Sequence, residues 1–331
     1  MTDVPLFRTV VDVPQSETQM AYSQSILCLG SCFAENIGDK LIENRFNACV
    51  NPAGALFNPL SIAACIRRLA DARPYTEDEL FHDDGLWHSW DHHSRFSSPT
   101  KEECLNAINR QYIAGAESLK NLDVLILTFG TAFVYQLTEN GKTVANCHKQ
   151  PRGLFTRKLL SVEEIVREYK EILGQIYRLR PKCLCIATIS PVRHLRDNPH
   201  ENLVSKSTLA CAVHELEKAF PELYYFPAYE IMMDELRDYR FYEKDMAHPN
   251  GVAIDYIWEK FVDACVDDKS KRFIVEYEKI KAAMAHRITQ KSSEETINFV
   301  REHLETVKKL EKKYPGISFV GEKEYFLKLD S

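Results

Sequence analysis

Short continuous apolar runs recur along the first two thirds of the chain, and each is followed by a turn or a helical pattern. The runs predict buried strands at residues 25–29 (SILCL), 122–129, 183–189 and about 223–226. Apolar residues recur at helical spacing between them, most clearly over 161–179, where Ser161 and Glu164 form a predicted capping box. Further helices are predicted over about 203–219 and from Val252 onward.

This alternation of strands and helices predicts an α/β fold of three layers (α/β/α), in which a parallel sheet lies between two layers of helices. Ligands bind such sheets at the carboxyl ends of the strands. Three turns of interest fall at this edge in the prediction: Gly30-Ser31, Gly130-Thr131 and the segment that ends at His248.

The length predicts one large domain with an appendage, because a single core stops growing at roughly 250 to 300 residues. We assign the main domain to residues 1–267. Within it, about 74–118 is less regular and carries the stretch LWHSWDHHSRFSSP, which predicts an inserted His/Trp-rich loop or small lid. Residues 268–331 are highly charged and helical in pattern, so we expect a C-terminal helical extension that packs on the body or on another subunit.

The charge balance argues against a nucleic acid partner, since the net charge is -6 and the pI is near 6.0. The sequence has no apolar run long enough to span a membrane, and its start, MTDVPLFRTVVDVP, lacks the apolar stretch of a secretory signal. The ten cysteines lie mostly in apolar segments and form no CxxC pair, which is typical of buried thiols in a reducing compartment. We therefore expect a cytoplasmic protein that needs no cofactor and binds no membrane.

Ser31 occupies a position that favours nucleophilic chemistry. It follows a buried strand and precedes a predicted helix, so the free N–H groups and positive end of the helix point toward any anion formed there. A serine in this place is also a common helix cap, and its position alone leaves both roles open. Cys32 offers a thiol in the same field as a rival nucleophile, although we expect it to face the sheet.

Asp245-Met-Ala-His248 supplies a carboxylate three residues before an imidazole. On one turn the carboxylate can accept the Nδ1 proton, which leaves Nε2 free as a base that activates a serine. The same residues also suit a helix start, with Pro249 at an early helical position. A DxxH sequence alone is therefore a weak signal.

A family resemblance becomes visible over roughly residues 20–260. Residues 29–36 (LGSCFAEN) resemble the signature of the GSCFA family, which belongs with the SGNH/GDSL-like hydrolases. Other stretches resemble the family as well: NPAGALFNP (51–59), WHSWDHHSRFS (87–97), TFGTAFVY (128–135), VANCHKQP (144–151), SPVRH (190–194) and RDYRFYEKDMAHPN (237–250). The resemblance implies an SGNH-hydrolase-like, flavodoxin-like fold and leaves the helical extension outside.

The resemblance also implies roles for particular residues. Ser31 matches the nucleophile of the first SGNH block, with its own backbone N–H as an oxyanion donor. Asp245 and His248 match the DxxH of the last block and would complete a catalytic triad. Gly54 resembles the glycine whose backbone N–H completes the oxyanion hole.

The third block departs from the superfamily pattern, because the chain has GTAF at 130–133 where GxND is usual. Loss of one oxyanion donor typically costs about a hundred- to a thousandfold in rate. The Thr131 hydroxyl is our candidate substitute for the missing asparagine. Asn146 and His148, which follow this turn, are further candidates to reach into the site.

Six residues near the predicted site are candidates for contact with a substrate: Asn51, His88, His92, Asn146, His148 and Arg193. Arg193 suits a carboxylate or phosphate, although a surface salt link fits its position equally well. His88 and His92 would share one face of a helix and suggest a metal site with Asp91 and His93. Because the neighbouring tryptophans and serines disfavour a regular helix, we predict no metal.

These patterns together predict a serine ester hydrolase, acting on a small-molecule or carbohydrate ester such as an O-acetylated sugar. An acyltransferase would use the same residues, and the missing third-block asparagine leaves open a binding protein that turns substrate over weakly. A metal-dependent hydrolase is a third alternative. The C-terminal helices are also a candidate interface for a homo-oligomer.

Overall fold

The computed structural model describes residues 8–194, 198–286 and 294–329. Its strands, in chain order, are β1 (Ser25–Gly30), β2 (Asn47–Val50), β3 (Leu80–Asp83), β4 (Leu86–Ser89), β5 (Val124–Phe129), β6 (Phe133–Leu137), β7 (Thr143–Val144), β8 (Phe155–Leu159), β9 (Leu184–Ile189) and β10 (Leu223–Tyr225). Its helices are α1 (Cys32–Glu43), α2 (Pro59–Ala70), α3 (Lys101–Lys120), α4 (Val162–Leu179), α5 (Pro199–Ala219), α6 (Ala228–Glu230), α7 (Gly251–Cys265), α8 (Asp268–Ala285), α9 (Glu294–Lys313) and α10 (Val320–Leu329). None of these described helices has the length and apolar character needed to cross a membrane.

A five-stranded parallel sheet forms the centre of the molecule, with strand order β10-β9-β5-β1-β2. Every residue of β5 and β9 is buried, as expected for strands covered on both faces. Their side chains alternate between two cores. Ile126 and Ile186 pack on the side of α1, α7 and α8, whereas Leu125 and Cys185 pack on the side of α2, α3, α4 and α5. The predicted three-layer α/β/α fold is confirmed.

The region of 74–118 contains two different structures. Its first part forms the β3–β4 hairpin and a short turn of helix at Ser94–Phe96. Its second part is the long helix α3, whose buried residues Cys104, Ile108 and Tyr112 belong to the main core. The irregular insertion therefore ends before α3, earlier than predicted. A small antiparallel sheet, β7-β6-β8, follows β5 and was absent from the prediction.

The C-terminal helices α8, α9 and α10 pack on the body of the same chain. Phe273 of α8 contacts Tyr22, and Tyr22 also contacts Tyr314 between α9 and α10. Arg45, just after α1, donates to the carboxylate of Glu322 in α10, which is fully buried and also accepts from the Tyr277 hydroxyl. The predicted extension thus shares one hydrophobic cluster with the sheet.

Gly30 lets the end of β1 approach β5 closely. Its φ is +148°, and a Cβ there would lie 2.2 Å from the carbonyl oxygen of Thr128.

We expect Gly30→Ala to lower the free energy of unfolding by about 3 kcal/mol or more, through strain and overpacking. Gly174→Ala is the control, because its Cβ would meet open space on α4; it should raise stability by about 0.5 to 1 kcal/mol. Urea unfolding of both variants checks this, and equal stability of the two would contradict it.

The contact between Arg45 and Glu322 gives a second prediction. Glu322→Ala leaves the partly exposed Arg45 guanidinium without its carboxylate, so we expect a loss of about 2 kcal/mol in unfolding free energy. Glu324→Ala, at an exposed position on the same helix, should change it by less than about 0.5 kcal/mol. Thermal or urea unfolding distinguishes them. If Glu322→Ala and Glu324→Ala have the same free energy of unfolding, the contact does not stabilise the protein.

Candidate active site

Ser31 lies where β1 ends and α1 begins, at the carboxyl edge of the sheet. Its backbone is extended, and its Oγ accepts a hydrogen bond from the Phe33 N–H at 3.3 Å, so the serine caps the helix. Only 1% of the residue is exposed. Within the described residues, no hydrogen bond joins Ser31 Oγ to His248.

Asn51 holds the turn that carries Ser31. It is buried with φ +43°, its Oδ1 accepts from the Gly30 N–H at 2.9 Å, and its Nδ2 donates to the Ser31 carbonyl oxygen at 3.4 Å. Arg95 donates from Nη2 to the Asn51 carbonyl oxygen at 2.6 Å. Asn51 was a candidate for substrate contact, but its side chain is enclosed and used by the turn. Its role here is to position Ser31.

Asp245 and His248 form the predicted pair on one exposed turn. Asp245 Oδ2 lies 2.6 Å from His248 Nδ1, while Oδ1 accepts from the backbone N–H groups of Ala247 and His248. These backbone hydrogen bonds, with the one to the imidazole, hold the pKa of Asp245 at about 2. The turn needs a positive φ of 57° at Met246. In the described structure Nε2 of His248 makes no hydrogen bond, and the side chain is 46% exposed.

The turn is tied to the sheet edge through the loop after β9. The Arg193 N–H donates to the Ala247 carbonyl oxygen at 3.1 Å. The neighbouring His194 packs edge-on against Phe57, and its Nε2 would lie 3.4 Å from a Cβ placed on Gly130. Burial, helped by the positive charge of Lys206, lowers the pKa of His194 to about 4. The 245–248 turn and Ser31 therefore belong to the same edge, with His194 between the turn and the end of β5.

The backbone N–H groups of the three predicted oxyanion residues all have acceptors inside the protein. The Ser31 N–H donates to the Thr128 carbonyl oxygen at 3.2 Å, and the Gly54 N–H donates to that of Asn51 at 2.7 Å. The Thr131 N–H donates to the Phe57 carbonyl oxygen at 2.9 Å, and its hydroxyl lies 3.0 Å from the Ser205 hydroxyl. In contrast, the Cys32 N–H, at the first position of α1, makes no main-chain hydrogen bond in the described chain.

The histidine stretch folds as a buried cluster of rings, and not as a helix. His88 lies on β4 with its Nδ1 2.7 Å from the Ser97 hydroxyl, and His92 Nδ1 lies 2.9 Å from that of Ser89. His148 Nε2 lies 2.9 Å from the Ser89 carbonyl oxygen, and Asn146 accepts from the His148 N–H. Burial lowers the pKa of His92 to about 3.

These four predicted substrate contacts thus serve the hairpin and the loop after β7, because each makes a hydrogen bond within the protein and the three rings are buried. Nδ1 of His148 is buried without a hydrogen-bond partner in the described chain. The same packing removes the basis of the metal alternative. Across residues 8–194, 198–286 and 294–329, no three His, Cys, Asp or Glu side chains are arranged to hold an ion.

Arg193 and Cys32 occupy different surroundings at the edge. The Arg193 side chain is exposed, and its charge opposes the rise in pKa that burial gives Tyr229 and Tyr242. Arg193 is thus an exposed cation beside the His248 turn. Burial, together with the charge of Glu35, raises the pKa of the Cys32 thiol, which disfavours a thiolate nucleophile.

Lys206 was not among the site residues predicted from the sequence. It lies on α5 with 2% exposure, and its Nζ donates to the carbonyl oxygens of Gly130 and Ser190 at 2.7 Å each. Burial lowers its pKa to about 7. Its spacing from Leu209, Val213 and Leu216 put it on the apolar face of the predicted helix, and that was the available signal.

Burial of Lys206 predicts a pH dependence of stability. Its folded pKa lies below the ordinary value of 10.5, so between about pH 7 and 10 the unfolded chain binds more protons and folding is favoured as pH rises. Relative to Lys206→Met, the free energy of unfolding of the wild type should rise by up to about 1.4 kcal/mol per pH unit in this window. Urea unfolding from pH 6 to 9 measures it, with the exposed Lys218→Met as control. A constant difference between wild type and Lys206→Met would contradict the depressed pKa.

Comparison with known proteins places the chain in a family. A search of curated proteins gives no significant match. The model of the GSCFA family matches residues 25–261, which include Ser31, Lys206 and His248. The model of the C-terminal domain of GSCFA domain proteins matches residues 277–330, which begin in α8 and include α9 and α10. Since the first match alone covers more than half of the sequence, the chain belongs to the GSCFA family.

Proposed function

We propose that this chain is a serine ester hydrolase in which Ser31 is the nucleophile and His248, oriented by Asp245, is the base. The Asp245–His248 pair is the observation that carries the proposal. Its Nδ1 is fixed by a carboxylate at 2.6 Å and its Nε2 remains unbonded in the described structure. This is the arrangement that a base needs in order to accept the proton of a serine hydroxyl.

The proposed reaction proceeds through an acyl-enzyme. Ser31 Oγ bonds to the ester carbonyl carbon while the C=O electron pair moves to oxygen, and His248 Nε2 takes the hydroxyl proton. When the ester C–O bond breaks, His248 returns that proton to the leaving alkoxide. Water then attacks the acyl-enzyme by the same steps and regenerates Ser31.

Access to Ser31 requires an opening step, because the residue is enclosed and makes no hydrogen bond with His248 in the described structure. The loop at Arg193 and His194 and the 245–248 turn are joined by one backbone hydrogen bond, so we propose that they move as a unit. Such gating motions are common in enzymes that close over their substrates.

The internal acceptors of the Ser31, Gly54 and Thr131 donors favour a second candidate function. In that case the chain keeps an SGNH-type frame and binds an ester or sugar with little turnover. An acyltransferase, in which an alcohol replaces water, shares the residues of the first proposal. We take a short acyl ester, such as an O-acetyl group on a carbohydrate, as the substrate class; this rests on analogy with the SGNH resemblance.

We also propose a cytoplasmic location. All ten cysteines lie in described parts of the chain and all are free, which suits a reducing compartment. Cys183 and Cys185 approach to 4.0 Å between their sulfur atoms without a disulfide bond. A homo-oligomer through the C-terminal helices would have to use their exposed faces, since their apolar faces pack on the body.

A fluorophosphonate probe tests the activated serine. We expect wild type to be labelled at Ser31, Ser31→Ala to lose the label, and His248→Ala to react at least about a hundredfold more slowly because the base is gone. Ser190→Ala is the matched control, since Ser190 directly follows β9 at the same edge; it should be labelled like wild type. Peptide mapping by mass spectrometry locates the adduct.

Hydrolysis of p-nitrophenyl acetate and butyrate by the same variants completes the test. The short esters should be cleaved faster than long-chain esters, and His248→Ala should lose this activity. Labelling that survives in Ser31→Ala, or equal ester rates for wild type and His248→Ala, would exclude the proposed mechanism. A protein that binds O-acetylated sugars without either reaction would instead be the binding protein.

A further inference from the structure

Lys206 is a buried cation at the edge of the sheet. Its ammonium has three N–H donors, and two of them go to the carbonyl oxygens of Gly130 and Ser190. The described residues offer no acceptor for the third. These two carbonyl groups follow β5 and β9, so the ammonium lies at the carboxyl ends of both strands.

The charge of Lys206 has no carboxylate partner in the described chain. The ionisable groups that face it are the Cys32 thiol on α1, His194 after β9 and Tyr229 on α6, whose ring centre is 5.6 Å from Nζ. Burial favours the neutral form of each of them at neutral pH. A buried ammonium without a counter-ion gains more from a bound anion than a solvated one does.

The ammonium lies one strand away from Ser31, because it bridges the ends of β5 and β9 and β5 pairs with β1. The Ser31 N–H donates to the Thr128 carbonyl oxygen, and Lys206 donates to that of Gly130, two residues further on, which is about 7 Å of extended chain. Cys32, the first residue of α1, interacts electrostatically with Lys206. Its N–H, at the positive end of α1, has no main-chain acceptor in the described chain.

We propose that Lys206 is a catalytic residue that binds the oxyanion formed when Ser31 attacks its substrate, together with the N-terminus of α1. This inference rests on the proposed function of Ser31. Lys206 would supply positive charge to the oxyanion. The N–H groups of Ser31, Gly54 and Thr131 cannot do so, because they already donate to carbonyl oxygens of the protein.

The sign of the pH effect follows from the burial of Lys206. The lysine is charged below about pH 7 and neutral above it, so oxyanion binding weakens as pH rises. The neutral forms of Cys32 and Tyr229 persist through this range because burial raises their pKa values, and His194 is already neutral. A fall in rate above pH 7 therefore reports Lys206.

The test is the rate of fluorophosphonate labelling at Ser31 from pH 6 to 9. In this reaction the Ser31 oxygen bonds to phosphorus, the P–F bond breaks, fluoride leaves, and His248 takes the proton. We expect wild type to slow by up to tenfold per pH unit above about pH 7. Lys206→Met should be slower by about a hundredfold at pH 6.5, whereas Lys206→Arg, which stays charged, should keep most of the rate and lose the alkaline fall.

Lys218→Met, at an exposed position on α5, is the control and should behave like wild type. Melting temperatures show which variants are folded, and the wild-type pH profile needs no variant. Two outcomes would contradict the role of Lys206 and leave the proposed function standing. One is an equal labelling rate for wild type and folded Lys206→Met, and the other is a wild-type rate that does not fall between pH 7 and 9. Absence of wild-type labelling at every pH overturns the proposed function and this inference with it.

Discussion

The close parallel contact between the ends of β1 and β5 is the constraint on which the site depends. Gly30 pairs with Thr128, and a side chain at Gly30 would collide with the Thr128 carbonyl group. This approach places Ser31 beside the turn that follows β5. Asn51 then closes the turn from the other side, by bonding both Gly30 and Ser31. A small residue and a buried amide therefore set the position of one hydroxyl.

The site has a buried half and an exposed half, and their electrostatics differ. Ser31 and Lys206 lie in the low-dielectric interior, where a single charge is costly and a pKa changes strongly. Asp245 and His248 lie on the surface, where water screens their interaction. A proton that passes from Ser31 to His248 would leave an anion in the buried half. The stability of that anion, more than the strength of the Asp245–His248 pair, would then limit the reaction.

The sequence predicted those parts of the fold that rest on local patterns. Continuous apolar runs gave β1, β5 and β9, and the capping box at Ser161 formed as predicted. Strand β2 was missed because its four residues are half exposed and show no apolar run. The tryptophans and serines beside His88 and His92 disfavoured a regular helix, and the structure places His88 in the β3–β4 hairpin. Lys206 was missed because a lysine on a helix is usually solvated, and only the tertiary packing shows which carbonyl groups enclose it.

Helix α1 is held at both ends, and this limits which parts of the site can open. Its first turn is fixed by Asn51 and β5, as described above. Beyond its last turn, Asn44 accepts from Lys281 at 3.0 Å and Arg45 bonds Tyr277 and Glu322, so α8 and α10 hold that end. A helix of this length is a rigid rod of about 18 Å, and movement of Ser31 would disturb both contacts. We therefore propose that the site opens at the loop after β9 and the exposed His248 turn, which the hydrogen bond from the Arg193 N–H to the Ala247 carbonyl oxygen joins.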